Sequence, residues 1–597
     1  MIGYYTKTVS MVERISMSLF KDIKTKIDKH EIISFDVFDT LLLRPYVKPT
    51  DLFLHLEKLE KAEGFAKARI EAEQKARKIH SDVEDITLDE IYAEIADEYR
   101  NLKSKEMDLE RQVLQPNPEM KEVFDYAKKQ GKKIIIVSDM YLPAKFLTDI
   151  LHKKGFDGFE KLYVSCEYRK TKHTGSLYKL AIDDLRVSAN DIFHIGDNPD
   201  SDKQKAEKLK ISAYLYPKMI DRIFNKQPFF KQYYNNNSTL GKSIIIGMMA
   251  FNQKHLNYWY NLGWNYGAAA AVAYTQWLDD KVREDKIKHL LFIARDGYIL
   301  QKVFKKISHS NCKTEYLFAP RFVLPQNHEL YEQYTKYLQT FNLPQNNLAM
   351  VDSITIKFSS QNLLKNFFPK ILGYYWIINS TDDNKNNFTA KEFRTDEFEY
   401  MKEWGLMEFF FTAPHPPVSS FTNGEPQLAT IVDDEQWRIE VYKNVEKGII
   451  DYTETITKIF DAKKLFIEEK DIANLVDILP LHPTKEDKIH LSSLKHASDV
   501  HNQNYIPLMQ FWNEKISEHT VKIFGLPLCK IEKTTYRYNL KLFNFIPITS
   551  MKNKNNNQCF YLLGIPVFQI KRKDEINKSK TTWLLFKFLP IISIKRK

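Results

Sequence analysis

The sequence predicts an α/β protein: a parallel sheet interrupted by an inserted block of helices, a second α/β region, and a basic, apolar, β-rich repeat tail. Three observations predict it. First, the short apolar runs Glu31-Ile-Ile-Ser-Phe35, Lys132-Lys-Ile-Ile-Ile-Val137, Lys161-Leu-Tyr-Val-Ser165 and Asp191-Ile-Phe-His-Ile195 alternate with helical patterns, as βαβ units do. Second, the stretch from Asp51 to about Leu114 is dense in Ala, Glu, Lys and Leu at helical spacing. It contains a capping box at Thr87-Leu-Asp-Glu90 and is closed by Pro116 and Pro118. Third, proline recurs at 527, 547, 566 and 590 within similar apolar segments, and such a period marks a repeat array.

The chain has 597 residues, too many for one hydrophobic core. Its 43% hydrophobic, 28% charged and 13% aromatic residues are those of a globular protein and exclude disordered and fibrous classes. Cys166, Cys312, Cys529 and Cys559 are scattered, with no CxxC pair and no secretory signal. That predicts reduced thiols in a cytoplasmic protein and excludes a disulfide framework or zinc site. No apolar run reaches the ~18 residues of a membrane span; Ser243 to Phe251 comes nearest.

Charge is segregated. Residues 521–597 hold 16 Lys/Arg and 3 Asp/Glu, a net of +13; the remaining 520 residues hold 72 and 74, a net of −2. Any anionic partner therefore belongs to the tail. The expected domains are 1–220, with a helical cap at about 45–115; a linker at 221–240 around Asn235-Asn-Asn237; a second α/β domain at 241–480; a polar connector at 481–516; and the tail at 517–597.

Ligands of open parallel sheets sit at the carboxyl ends of the strands. The first sheet's strand ends carry Asp36, Ser138, Lys172 and Asp197, the last within Gly196-Asp-Asn-Pro-Asp-Ser-Asp202. A carboxylate nucleophile, a hydroxyl, a lysine and a second carboxylate are what phosphoryl transfer through an aspartyl-phosphate needs. Asp36 attacks phosphorus, Ser138 and Lys172 hold the phosphoryl oxygens, and Asp36 with Asp197 offers a hard oxygen site for Mg2+. Lys172 is preferred to Lys170 because the run Lys172-His-Thr-Gly-Ser-Leu-Tyr178 places it at a helix start. Asp202 reads equally as an outer metal carboxylate or a solvated helix-start residue. In the cap, Arg44, Arg69 and Arg77 either meet an anionic substrate or form helix-surface salt bridges.

The order and spacing of these groups resemble the haloacid dehalogenase-like (HAD) superfamily. The wording Ser34-Phe-Asp-Val-Phe-Asp-Thr-Leu-Leu, Ser138-Asp-Met-Tyr-Leu-Pro and His194-Ile-Gly-Asp-Asn is similar to HAD-like hydrolases encoded among bacterial capsule and lipopolysaccharide functions. The resemblance is strong over residues 30–218 and loose over 240–430. It implies a HAD-like Rossmannoid sheet with an inserted helical cap, hydrolase activity, and a metal ligand from the Phe38 backbone carbonyl. It also marks a departure. Where most HAD phosphatases place a general-acid aspartate, two residues after the nucleophile, this chain has Phe38, with Asp39 one residue later. Asp39 substitutes if its loop turns inward; such an acid typically contributes ~10²–10⁴-fold. Dehalogenases also carry an aromatic there, which keeps that chemistry as a lesser reading.

In the second region His289-Leu-Leu-Phe-Ile-Ala294 and Leu348-Ala-Met-Val351 read as strands, running into Arg295-Asp296-Gly297-Tyr298 and Asp352-Ser353. Arg295 is a candidate for gripping substrate phosphate, with Asp296 and Asp352 on hydroxyls or metal. The plainer reading makes both aspartates helix caps. These strand ends recur in the second half of similar HAD-like proteins, and the plan loosely resembles a phosphoribosyltransferase fold.

The expected function is a Mg2+-dependent phosphohydrolase acting on a phosphorylated sugar or polyol of surface-polysaccharide synthesis. The alternatives are a non-catalytic phospho-ligand scaffold or a second activity, a transferase, in the middle region. The tail's apolar segments with basic ends suit an anionic membrane surface at the inner face or a polysaccharide-assembly protein, and tails on such enzymes are similar. Nucleic acid is disfavoured because no nucleic-acid motif accompanies the charge.

Overall fold

The computed structural model describes residues 11–252, 257–380, 385–394, 404–460, 465–497, 505–507 and the strands between 515 and 596, with side chains described between 20 and 495. The chain divides into two compact units, residues 1–487 with 495–505, and residues 488–494 with 506–597.

The first unit contains two five-stranded parallel sheets. The first comprises β1 (Ile32–Phe35), β2 (Lys133–Ser138), β3 (Lys161–Val164), β4 (Ile192–Gly196) and β5 (Ser212–Leu215), in the order β3-β2-β1-β4-β5. These strands are near-continuous apolar runs because helices cover both faces; Ile33, Phe35, Ile136, Val137, Phe193 and Ile195 are all fully buried. β1 is central, with Ile32–Phe35 in register with Lys133–Ile136 on one side and Ile192–Ile195 on the other.

The cap enters and leaves through a two-residue antiparallel ladder, Leu42 against Pro116 and Leu43 against Gln115. It holds the helices Asp51–Glu60, Phe65–Ile79, Leu88–Ala93 and Lys103–Val113. The capping box is present: Thr87 Oγ1 accepts from the Glu90 amide at 3.2 Å, and the Glu90 carboxylate accepts from the Thr87 amide at 2.7 Å. The cap also docks on helices C-terminal to the first sheet. Asp51 accepts hydrogen bonds from Ser243 Oγ at 2.6 Å and Tyr234 OH at 3.1 Å. Gly247 permits this approach, since a Cβ there would lie 2.2 Å from the Pro45 carbonyl carbon.

Residues 221–240, expected as a linker, are largely helical. Helices Met219–Lys226 and Pro228–Asn235 carry them, with Phe230, Tyr233 and Tyr234 buried. The Asn tract terminates the second helix; the aromatic residues ahead of it have helical spacing and supply the packing. The apolar run near 243–251 lies largely in the buried helix Leu240–Met249. Among the described residues no helix is long and apolar enough to cross a membrane.

The second sheet comprises β6 (His289–Ile293), β7 (Lys313–Leu317), β8 (Leu348–Thr355), β9 (Leu372–Ile378) and β10 (Ala390–Glu392), in the order β10-β9-β8-β6-β7. The 28-residue helix Asp433–Phe460 packs beside it, so close to the helix Tyr258–Leu262 that a Cβ at Gly448 would lie 2.3 Å from the Tyr260 carbonyl oxygen.

In the second unit, residues 515–596 form an eight-stranded antiparallel sheet in strand order. Its repeat is a hairpin. Pro527, Pro547, Pro566 and Pro590 each occupy the second position of a strand, and the pairing skips the next residue, Leu528, Ile548, Val567 or Ile591. Proline has no amide hydrogen for the ladder, and the resulting bulge accommodates it within paired strands.

Candidate functional site

Both sheets reverse their winding next to their first strand. β2 and β3 extend one side of β1, after which the chain crosses to β4 and β5 on the other. A crevice forms at the carboxyl ends where the winding reverses, and Asp36 and Asp197 leave β1 and β4 there.

Lys172 is the centre of the site. Its Nζ donates to Asp36 Oδ1 at 2.5 Å and to Asp202 Oδ1 at 2.6 Å, and all three side chains are less than a tenth exposed. Burial opposes the ammonium, but Asp202 and Asp36 outweigh it and hold the lysine charged. Burial pushes the Asp36 carboxyl well above the ordinary carboxylate range; Lys172 opposes the shift, while Asp202 and Asp197 reinforce it. At Asp202 burial is overridden by Lys172 and His194, and the carboxylate is held low. The other oxygen of Asp202 accepts the Asn198 amide at 2.9 Å, and His194 Nε2 lies 3.2 Å from its Oδ1. Asp202 is thus a buried anchor of Lys172, not a solvated helix-start residue. Gly196 makes room for it: a Cβ there would fall 2.4 Å from the Asp202 carboxyl.

Lys172 sits four residues ahead of the helix Ser176–Leu185, in a loop held from two sides. Asp139 accepts from the Lys172 amide at 2.7 Å and the His173 amide at 3.2 Å, while Glu84 of the cap accepts from the Thr171 amide at 2.8 Å. Ser138 Oγ is buried with no hydrogen-bond partner. An unpaired buried hydroxyl is costly, and this one belongs to the residue expected to hold a phosphoryl oxygen.

Asp36, Asp197 and Asp202 each offer an oxygen within 4.8 Å of the others, a donor set that fits a hard divalent cation. Asp197 is raised by burial, with Lys218 pulling it back. Lys218 is 2.8 Å from Asp197 and 3.4 Å from Asp39. Asp39 adopts a left-handed φ of 56°, and this turn brings its carboxylate toward Lys218. Lys218 carried no sequence signal, because it follows β5 outside every strand-end motif. Asp139, beside Ser138 in the same motif, was legible but unassigned.

Of the cap arginines, Arg44 and Arg69 are buried and Arg77 is exposed. Arg69 is fully buried and pairs bidentately with Glu106 at 2.8 and 3.0 Å; it cannot meet a substrate, which corrects that expectation. Arg77 pairs with Asp85 at 2.7 Å and with Glu73. Arg44 pairs with Glu110, but its guanidinium also lies 4.1 Å from the Phe38 ring centroid, beside the nucleophile loop.

At the second sheet Arg295 NH1 donates to Glu435 at 3.1 Å. Asp296 precedes the helix Gly297–Ile307 without a side-chain capping bond. Asp352 lies inside β8, so neither aspartate is the helix cap that the plainer reading required.

A parallel sheet with an inserted cap, a carboxylate at the end of its first strand and a lysine between two carboxylates is a HAD-like core. Residues 30–208 match the family model of haloacid dehalogenase-like hydrolases, in keeping with the HAD-like core. Solved structures are similar at low identity. One is the L-2-haloacid dehalogenase of Xanthobacter autotrophicus, with 12% identity over 35% of this chain and 84% of that one and a TM-score of 0.26. Another is a HAD family enzyme of Bacteroides thetaiotaomicron complexed with magnesium and inorganic phosphate, with 15% identity over 32% and 95% and a TM-score of 0.23. A putative haloacid dehalogenase-like hydrolase of Bacteroides fragilis has 22% identity over 31% and 86%, with a TM-score of 0.23. These scores are too low to carry a function across. No curated protein matches the chain.

Proposed function

We propose that the N-terminal domain is a Mg2+-dependent phosphohydrolase that works through an aspartyl-phosphate on Asp36, with a phosphorylated sugar or polyol of surface-polysaccharide synthesis as substrate. The observation that carries this reading is the buried Asp36–Lys172–Asp202 chain beside the unpaired Ser138 hydroxyl. Asp36 Oδ attacks phosphorus as the P–O ester bond breaks, and water then cleaves the acyl-phosphate. Lys172 and Ser138 hold the phosphoryl oxygens, and Lys172 also offsets repulsion between carboxylate and phosphate. Asp36, Asp197 and the Phe38 carbonyl would hold the ion, with Asp202 behind them; when bound it neutralises phosphoryl charge and favours ionised Asp36. Asp39, turned toward the site and held by Lys218, is the candidate acid for the leaving oxygen. Arg44 on the cap side is the candidate contact to the rest of the substrate. The polysaccharide setting rests on the resemblance of the motifs. The protein is placed in the cytoplasm, its tail meeting the anionic inner face of the membrane, with a polysaccharide-assembly protein as the rival partner.

A second reading, dehalogenation, is favoured by one observation, the Phe38 ring under the Arg44 guanidinium beside Asp36. The two readings separate on metal. The full chain is assayed on sugar, polyol and nucleotide phosphates and on 2-haloacids, with Mg2+ and with EDTA. Phosphatase turnover that requires Mg2+ and disappears in Asp36→Asn supports the first reading. Metal-indifferent halide release supports the second, and turnover in Asp36→Asn equal to the parent overturns both.

A further inference from the structure

We infer that the second parallel sheet carries its own ligand site, at the ends of β6 and β8, for a small molecule bearing both hydroxyls and an anionic group, of the sugar-phosphate class. The position follows from the winding. β7 extends one side of β6, and the chain then crosses to β8, β9 and β10 on the other. The crevice at such a reversal is where open parallel sheets bind ligands.

Polar groups of both signs converge there. Asp296, after β6, accepts a hydrogen bond from Ser353 Oγ, and Asp352 accepts one from the Ser353 amide at 2.9 Å. Burial pushes Asp296 up to about 6, with the Glu408 carboxylate reinforcing the shift, and pushes Asp352 up to about 8, with Asp296 reinforcing it. Near neutrality the pair therefore keeps a proton and offers both a donor and an acceptor, as hydroxyl recognition needs. From the loops after β6 and β7, Arg295 acts on Asp296 and Arg321 on both carboxylates. Arg295, though tied to Glu435, remains 31% exposed, and Arg321 is exposed. They supply the positive charge for an anionic group.

A buried polar group lies beside this cluster. The pairings Asp352 with Tyr375 and Ile354 with Ile377 set Trp376 beside Ser353 on the same face of the sheet. Trp376 is 1% exposed, and its indole Nε1 has no hydrogen-bond partner. An indole N–H only donates; the ring packs on Tyr274, Phe393 and Phe411, and Tyr274 OH in turn donates to the Asp352 carbonyl at 3.0 Å, so an unpaired buried donor adjoins the cluster.

The test is isothermal titration of full-length Asp36→Asn protein, which cannot turn over, with glucose 1-phosphate, ribose 5-phosphate and glycerol 3-phosphate. Two binding events are expected with at least one probe. Adding Lys172→Met should remove one event, and adding Arg321→Ala or Asp352→Asn should weaken the other by roughly tenfold or more. Arg321 is exposed, so its variant tests the site even if Asp352→Asn misfolds. Binding unchanged by both the Arg321 and Asp352 variants, or no event beyond the one lost with Lys172, overturns the second site. A second event that survives Lys172→Met supports it even if the phosphatase reading fails.

Discussion

The two parallel sheets of the first unit are wound alike and differ in what their loops deliver to the same place. Each has five strands, each reverses next to its first strand, and each puts aspartates at the reversal: Asp36, Asp197 and Asp202 in the first, Asp296 and Asp352 in the second. In the first sheet the loop after β3 brings Lys172 between Asp36 and Asp202. In the second, among the described residues, no lysine enters between Asp296 and Asp352; arginines act from the side, and the carboxyls are pushed up into the neutral range. Winding decides where a crevice forms. The buried Lys172 holds Asp202 ionised, while Asp36 beside it is raised by burial, as Asp296 and Asp352 are at the second sheet.

The largest effect that breaks this comparison is expected at Lys172. Lys172→Met should leave Asp36 and Asp202 without their shared cation, as at the second sheet, and reduce phosphatase turnover by at least ~10³-fold. Steady-state assays with saturating Mg2+ measure it; a loss under tenfold would remove Lys172 from transition-state stabilisation. Next in size is a structural effect in the cap. Arg69→Ala strands the buried Glu106, which then keeps only the Tyr92 hydroxyl at 2.7 Å. Breaking such a pair costs ~3–5 kcal/mol. Denaturant unfolding should show that loss. A cost under ~1 kcal/mol would mean that water reaches Glu106 once the guanidinium is gone.

The legibility of these features followed the range of the interactions behind them. Asp36, Ser138 and Asp197 were readable because each ends or directly follows an apolar strand, and Lys172 because the run Lys172-His-Thr-Gly-Ser-Leu-Tyr178 leads into a helix. The Thr87–Glu90 capping box was readable because its partners are three residues apart. Lys218 was not, since its partners Asp39 and Asp197 meet it only through the fold. The burial of Arg69 depends on Glu106, 37 residues away, and charge alone suggested a surface or substrate contact. At 221–240 Asn235-Asn-Asn237 is a local linker signal, whereas the burial of Phe230, Tyr233 and Tyr234 depends on the second half of the chain: Tyr233 OH donates to the Asp471 carbonyl at 2.8 Å. In the tail the period was visible, but the accommodation of each proline by skipping the next residue is a property of pairing between strands.

The tail offers a smaller effect, set against a body that is near neutral. Its strand Ile565–Glu575 contains Lys571-Arg572-Lys573, and a basic residue near an anionic surface is worth ~1 kcal/mol. Full-length protein should sediment with vesicles containing phosphatidylserine at low ionic strength and be partly released by salt. Replacing these three residues with Gln should weaken binding by roughly tenfold or more. Equal sedimentation with purely zwitterionic vesicles, or none with either kind, would transfer the tail to the protein-partner reading.

The smallest expected effect sharpens the comparison between the two sheets. Asp352 is held protonated in the folded protein up to about 8, whereas an unfolded chain releases that proton near the ordinary ~3.9 of an aspartate. Between these values the folded state binds more protons than the unfolded one. Its contribution is therefore fully present at low pH and is lost as pH rises through the folded-state value. Asp202 runs the other way, because Lys172 and His194 hold it ionised against burial, and its contribution is lost only in acid. The parent protein should therefore lose melting temperature between about pH 5 and about pH 9. Asp352→Asn, which carries no titrating proton, should recover part of that loss, ~2 °C or more. Asp36 is also raised and contributes to the parent's slope, so the informative quantity is the difference between variant and parent. Identical slopes would mean that Asp352 ionises like an exposed carboxylate, and the contrast between the two sheets would then be one of lysine placement alone.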